Sequence, residues 1–312
     1  MKILVTGGAG FIGSHLTRAL VERGDTVRVL DNFSTGRRAN LEGVEAEIVV
    51  GDIREAEGVR RAAAGMTHLI HLAALVSVPH SVADPLTTHA INVTGTLNVL
   101  LAARDLGLQR VLFASSSAVY GEAFSGAKHE GLPLYPLSPY GVTKLAAEKY
   151  CLAFHTVYGL ETVALRYFNV FGPRQDPRSE YAAVIPKFMA AVLAGRQPII
   201  YGDGEQTRDF TYVADVVQGN LLALEAPAAA GQALNVATGS PVSLNQLVAI
   251  LAEVSGRKIQ PEYAPPRIGD ILHSTAEIAQ ARQGLGYAPA VEFRSGLTLT
   301  WQWCQAHPEA LH

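Results

Sequence analysis

Tyr140 and Lys144 stand four residues apart directly after Ser138-Pro139. That dipeptide opens a helix: the serine accepts from the first free N–H groups, and a proline in the first turn loses no hydrogen bond. Positions i and i+4 share a helix face, so the Lys144 ammonium is placed to favour the Tyr140 phenolate and to draw its pKa down from about 10. Tyr-x-x-x-Lys also arises as a plain exposed polar pair, and its weight here comes from what precedes it. After the apolar stretch Arg110–Ala114 comes Ser115-Ser116-Ser117-Ala118-Val119-Tyr120-Gly121. This run sets hydroxyls at the carboxyl edge of a strand, as a place for chemistry or as a serine-rich turn.

A second constellation lies at the start of the chain. Lys2–Thr6 reads as a strand, and Gly7-Gly8-Ala9-Gly10-Phe11-Ile12-Gly13 follows it and runs into a helical pattern. Glycines in that context allow a tight turn and let backbone N–H groups and a helix N-terminus approach a pyrophosphate, while Gly13 permits close helix–strand packing. Asp31 ends the next strand eighteen residues after Gly13. A carboxylate there accepts from both ribose hydroxyls and repels a 2′-phosphate, so NAD is expected rather than NADP. Asp52-Ile53, at the end of the third strand, could reach the adenine, or Asp52 could cap the following helix.

The elements needed to hold these residues are legible as alternation. Strands are predicted at Lys2–Thr6, Thr26–Leu30, Glu47–Val50, Thr67–Leu72, Arg110–Ala114 and Glu161–Arg166, with a helix from about Phe11 and longer amphipathic stretches between the later strands. The pattern predicts an α/β fold, a doubly wound parallel sheet with ligands at the carboxyl ends of its strands, plus a second, smaller substrate-binding domain. The division falls at 1–168 and 169–312, with parts of 209–237 returning to the first unit. Ala226–Ala230 reads as a surface connection, since a proline and a following glycine interrupt any helix there.

Composition excludes several classes. The chain has 312 residues, 48% hydrophobic and 17% charged, and no apolar run approaches the roughly 18 residues of a membrane span. Its first residues are too short an apolar stretch for a signal peptide core, so a cytoplasmic enzyme is expected. A net charge of -3 offers no field for nucleic acid, and two cysteines, Cys151 and Cys304, suit packing better than a disulfide scaffold or zinc site. No metal is assigned: the histidines are scattered, and His68 and His71 point to opposite faces of a predicted strand. His155, Tyr150 and Tyr158 read as helix packing or an interface.

Taken together, the motifs resemble the extended short-chain dehydrogenase/reductases of the NAD-dependent epimerase/dehydratase family, Rossmann-like proteins, along essentially the whole chain. The resemblance is closest to UDP-glucose 4-epimerases and their N-acetylhexosamine relatives. It rests on Thr6–His15, Asp31-Asn32-Phe33-Ser34-Thr35-Gly36, His71-Leu72-Ala73-Ala74, the serine cluster, Tyr140–Lys144, and Leu165-Arg166-Tyr167-Phe168-Asn169-Val170-Phe171-Gly172-Pro173. It implies Tyr140 as base, Lys144 as its electrostatic partner and ribose ligand, and Ser116, four residues before Tyr120, as the hydroxyl on the reacting sugar oxygen.

For NAD it implies Gly7, Gly10, Phe11, Ile12, Gly13, Asp31, Asn32, Ser34, Gly36, Asp52, Ile53, Leu72, Ala73, Ala74 and Tyr167, beside Tyr140 and Lys144. For a UDP-hexose it implies Ser77 and Ser116, Asn169 near the sugar-proximal phosphate, Tyr201 against uracil, Arg208 and Arg267 on the diphosphate, and Asp270 on the uridine ribose. Ser274 falls where related epimerases line the pocket around the sugar C2 substituent, and a serine there leaves room for an acetamido group. A homodimer is also implied, held by the helix Tyr140–Tyr158 and the one around Asn92–Leu106.

Related 4,6-dehydratases place an Asp-Glu pair just after the catalytic hydroxyl, where this chain has Ser117-Ala118, and related decarboxylases usually carry a glutamate there. Neither residue performs that acid/base step. A non-catalytic NAD sensor typically lacks the Tyr/Lys pair that is retained here.

Overall fold

A computed structural model of the chain describes residues 1–122, 126–176, 183–266 and 272–311. The first part runs β1 (Lys2–Thr6), α1 (Phe11–Glu22), β2 (Thr26–Asp31), β3 (Glu47–Val50), α2 (Ala56–Ala63) and β4 (His68–His71). Two short helices, α3 (Val78–Ala83) and α4 (Pro85–His89), then pass through a π-helical turn at Ala90–Thr94 into α5 (Gly95–Asp105), followed by β5 (Arg110–Ser116), α6 (Pro139–Tyr158) and β6 (Glu161–Tyr167). The helix α6 starts and stops as its sequence dictates: Ser138 Oγ accepts from Gly141 N at 3.1 Å, and Gly159 closes it in the left-handed conformation.

The second part holds β7 (Asn169–Phe171), α7 (Val184–Leu193), β8 (Ile199–Tyr201), β9 (Thr207–Tyr212), α8 (Val213–Glu225), β10 (Gln232–Val236), β11 (Pro241–Ser243), α9 (Leu244–Ser255), β12 (Glu262–Ala264), β13 (His273–Ser274), α10 (Ala279–Leu285) and α11 (Phe293–Ala306). One strand of this part goes back to the first. The main sheet is parallel in the order β10-β6-β5-β4-β1-β2-β3, so β10 forms its edge beside β6. The reversal of strand order between β1 and β4 opens a crevice at the carboxyl edge, where such folds bind ligands.

Both faces of the sheet are buried, and alternate residues serve different cores. Ile3, Val5, Ile70 and Leu112 pack with α1 and α8, while Leu4, Leu69, Val111 and Phe113 pack with α2, α5 and α6. This explains the near-continuous apolar runs of these strands. A separate core around Phe171, Phe188, Phe210, Leu247 and Trp301 supports the small sheets β11-β9-β13, with β7 on β9, and β12-β8.

One local expectation is corrected. The strand β5 continues through Ser116 rather than ending at Ala114, because Ser115 and Ser116 pair with Arg166 and Tyr167. The stretch Ala226–Ala230 connects α8 to β10 at the surface, with Pro227 and Ala228 exposed, and within it Pro227–Ala229 make one 3-10 turn whose Ala229 is fully buried. Arg110 anchors the end of α8 ahead of this turn by donating to the carbonyls of Ala223 and Ala226 at 2.8 and 2.9 Å. Among the described residues no helix is long and apolar enough to cross a membrane.

Candidate active site

The glycine turn is shaped by close approach. A Cβ on Gly13 would overlap the Gly7 carbonyl oxygen, and one on Gly7, whose φ is +73°, would sit 2.7 Å from Ala73 N. The turn is thereby pressed against Leu72-Ala73, whose N–H groups donate to Thr6 O at 3.0 Å and Thr6 Oγ1 at 3.3 Å. No side chain caps α1 at Gly10, and its first turn carries no acid. Its leading N–H groups, those of Phe11 and Ile12 included, therefore present the positive end of the helix to the crevice, and a pyrophosphate fits that arrangement.

Asp31 is held at the next strand end by backbone alone. Its Oδ2 accepts from Ala9 N at 2.9 Å and its Oδ1 from Phe33 N at 2.8 Å. A carboxylate has about four acceptor positions, so two remain for the hydroxyls of a ribose. Asn32 Oδ1 accepts from Ser34 N at 3.0 Å, and the left-handed Phe33 (φ 57°) turns the chain toward Gly36, which lies against Ala9. Asp52 does not cap α2. It takes the guanidinium and N–H of Arg54, with the Asn32 amide 2.9 Å away, and the Arg54 bonds hold its carboxyl down at about 2. Ile53 is buried under Gly95.

Tyr140, Lys144 and Ser116 meet at the carboxyl end of β5. Tyr140 is 8% exposed and its phenol faces the Ser116 hydroxyl. Lys144 is 4% exposed, with Nζ donating to Ala114 O at 2.8 Å and lying 5.0 Å above the Phe113 ring. The expected lowering of the phenol's pKa by Lys144 does not hold in this geometry. Burial pushes Tyr140 above its ordinary value, and the opposing pull comes from Ser116; burial also draws the Lys144 ammonium down to about 8. The spacing gives a shared helix face, but the lysine's length lets it reach the strand carbonyl instead.

Sequence reasoning missed two supports of this site. Asn92, in the π-helical turn, donates to Leu75 O and Thr143 Oγ1 at 3.0 Å and accepts from Leu75 N at 2.8 Å. It thus pins the segment between Ala74 and Ser77 to α6. Ser81 Oγ accepts from Tyr140 N at 3.0 Å. The extra residue in the π turn leaves no mark in hydrophobic periodicity. Ser77 itself caps α3, accepting from His80 N at 3.1 Å. The Tyr167 main chain pairs with Ser116, while its hydroxyl turns into the core and donates to Asn220 at 2.9 Å.

Across the crevice, Asn169 begins β7 and Arg208 lies on β9, directly paired in register with Ser274 of β13. The half-buried Ser274 is fixed by its surroundings. Asp209, fully buried, accepts from Thr238 N, Thr238 Oγ1, Gly239 N and Ala276 N at 2.6–3.2 Å. Tyr201 O accepts from Gln206 Nε2 at 2.6 Å. Arg267 and Asp270 lie outside the described residues. The two halves touch near the glycine turn: His15 Nε2 is 2.8 Å from Pro173 O, and Arg37 pairs with Asp176 at 2.6 Å. Burial and Arg174 hold His15 down at about 4, so the imidazole is neutral and donates.

A glycine turn, an acidic strand end and a Tyr/Lys helix gathered on one sheet edge define a dinucleotide-binding α/β protein. The chain belongs to the NAD dependent epimerase/dehydratase family, whose model matches residues 3–237. NAD is accordingly its cofactor.

The UDP-glucose 4-epimerase of Mycolicibacterium smegmatis is 40% identical over 306 residues, covering 96% of this chain and 97% of that protein. The UDP-N-acetylglucosamine 4-epimerase of Methanobrevibacter ruminantium, solved with UDP-N-acetylmuramic acid, superposes with a TM-score of 0.94 at 41% identity and covers 98% of each chain. The UDP-glucose 4-epimerase of Thermus thermophilus, solved with NAD, has a TM-score of 0.90 at 39% identity and covers 98% of this chain and 99% of its own.

Proposed function

We propose that the protein is a UDP-sugar 4-epimerase that interconverts UDP-glucose and UDP-galactose and also the N-acetylated pair. The observation that carries the reading is the gathering of Ser116, Tyr140 and Lys144 at the carboxyl end of β5, where Lys144 Nζ donates to Ala114 O, at the crevice beside the glycine turn. In this reading residues 1–168, with part of 209–237, hold NAD, and most of 169–312 holds the nucleotide sugar. Bound NAD supplies the acceptor for the C4 hydride and later its donor, so the sugar passes through a 4-ketone with no net oxidation.

Tyr140 withdraws the proton of the C4 hydroxyl and afterwards returns it, and Ser116 hydrogen-bonds the same oxygen. The pull of Ser116 favours the phenolate against the cost of burial. Arg208 and Arg267 hold the diphosphate, with Asn169 near it, while the keto sugar turns about that tether to present its other face. Tyr201 lies against uracil and Asp270 on its ribose. Dehydration is disfavoured because Ser117 and Ala118 bring no carboxyl group to the turn after Ser116.

Incubation with UDP-glucose, UDP-galactose, UDP-N-acetylglucosamine and UDP-N-acetylgalactosamine separately, followed by product separation, tests this directly. Each is expected to yield its C4 epimer without accumulated NADH. A 4-keto-6-deoxy sugar, or no conversion of any substrate, overturns it.

Asp31→Ala is expected to weaken NAD at least about tenfold, since two ribose hydrogen bonds to a charged acceptor are lost. Titration of the nucleotide-free protein checks it, and unchanged affinity removes Asp31 from the cofactor site. The same reading includes a cytoplasmic homodimer. Two free, buried thiols suit a reducing compartment, and Leu101, Val142, Tyr150, Val157 and Tyr158 leave apolar surface on α5 and α6. Light scattering should give about twice 33.2 kDa; a mass near 33.2 kDa itself rules the dimer out.

A further inference from the structure

Glu148 follows Tyr140 and Lys144 at the same four-residue interval on α6, on the face turned to the sheet. It is 0% exposed and its partner Arg166, on β6, 3%. Arg166 Nη2 donates to Glu148 Oε1 at 2.6 Å and Nε to Oε2 at 3.0 Å, in a two-pronged pair. Ser115 Oγ donates to the same Oε2 at 2.6 Å. On its other side Arg166 Nη1 donates to the Tyr120 hydroxyl at 2.8 Å, and that hydroxyl donates to Asn235 Oδ1 at 2.7 Å. Asn235, on β10, donates in turn to the carbonyls of Lys128 and Glu277 at 2.9 and 3.0 Å.

A buried ion pair is weak as a source of stability, because desolvation of two charges consumes most of their attraction. What the forked geometry supplies is direction. Lys144 grips Ala114 O, Glu148 grips the Ser115 hydroxyl, and Arg166 grips Tyr120. Ser116 lies inside this bracket, and the three grips include two side chains of the helix that carries Tyr140. We infer that Glu148 and Arg166 are positioning residues that fix the rotation of α6 against β5, and with it the contact between Ser116 and the Tyr140 phenol. The inference rests on the epimerase reading for its kinetic assay alone. A displacement of about 1 Å in such a contact costs about a hundredfold in rate.

The test uses the NAD-bound protein and compares Glu148→Leu/Arg166→Met, Arg166→Lys and Ser115→Ala. The double variant removes both charges together and is expected to keep its Tm and NAD content. Its kcat should fall by about 10–100-fold with KM nearly unchanged. Arg166→Lys restores the charge without the fork and should not restore kcat. Ser115→Ala loses one hydroxyl, folds whatever becomes of the double variant, and should lower kcat in the same direction.

A readout independent of turnover is the ionisation of Tyr140, followed by NMR of ring-labelled tyrosine and assigned with Tyr140→Phe. Loss of the Ser116 contact should move it upward in all three variants. Wild-type kcat together with wild-type Tyr140 ionisation in Ser115→Ala and the double variant overturns the inference. Absence of epimerisation in the unmodified enzyme counts against the epimerase reading instead, and the NMR result still decides this one.

Discussion

Tyr140→Phe is expected to lower the kcat of epimerisation by about 10²–10⁴-fold, the range over which a positioned acid/base group acts. The substitution removes one oxygen whose contact in the structure is the Ser116 hydroxyl, while the backbone bond from Tyr140 N to Ser81 Oγ survives. Fold, Tm and NAD content should therefore hardly change, and KM should stay within a few-fold. Steady-state kinetics on the variant beside a melting curve checks this. Near-normal turnover would mean that another group moves the C4 proton.

The second large effect concerns sugar size. Ser274→Tyr is expected to reduce kcat/KM for UDP-N-acetylglucosamine by about 100-fold or more, a steric penalty of roughly 3 kcal/mol, and to spare UDP-glucose. The position cannot drift to relieve the clash. Its strand β13 pairs in register with Arg208, Leu272 O accepts from Thr207 N at 2.9 Å, and Ala276 N is tied to the buried Asp209 at 3.2 Å. Equal losses on both sugars, or none on either, would remove Ser274 from the C2 pocket and leave the reaction unaffected.

The parts of the site that sequence reasoning reached are those encoded by neighbours along the chain. Gly7–Gly13, Asp31 at the end of β2, and the Ser138 cap of α6 each follow from spacing within a turn or a strand. The contacts that sequence reasoning did not reach join residues far apart along the chain. Glu148 and Arg166 face each other from different elements, with no periodicity to link them, and Asn92 reaches Leu75 and Thr143 through a turn with an inserted residue. The pKa of Tyr140 fell between these cases. Helical spacing set Lys144 on the correct face, but only the packed strand showed that its Nζ bonds to Ala114 O and that burial dominates the phenol.

The return of β10 to the main sheet governs how the chain can be cut and how it is made. The family match ends at residue 237, one residue past this strand. A fragment stopping at residue 168 would carry the glycine turn, Ser116, Tyr140 and Lys144, yet leave the long edge of β6 without a partner and Tyr120 without Asn235. Unpaired edges of parallel sheets invite association with other chains. On the ribosome the same edge stays open until Gln232–Val236 emerges, so the parallel sheet cannot be completed before residues 169–231 have been synthesised.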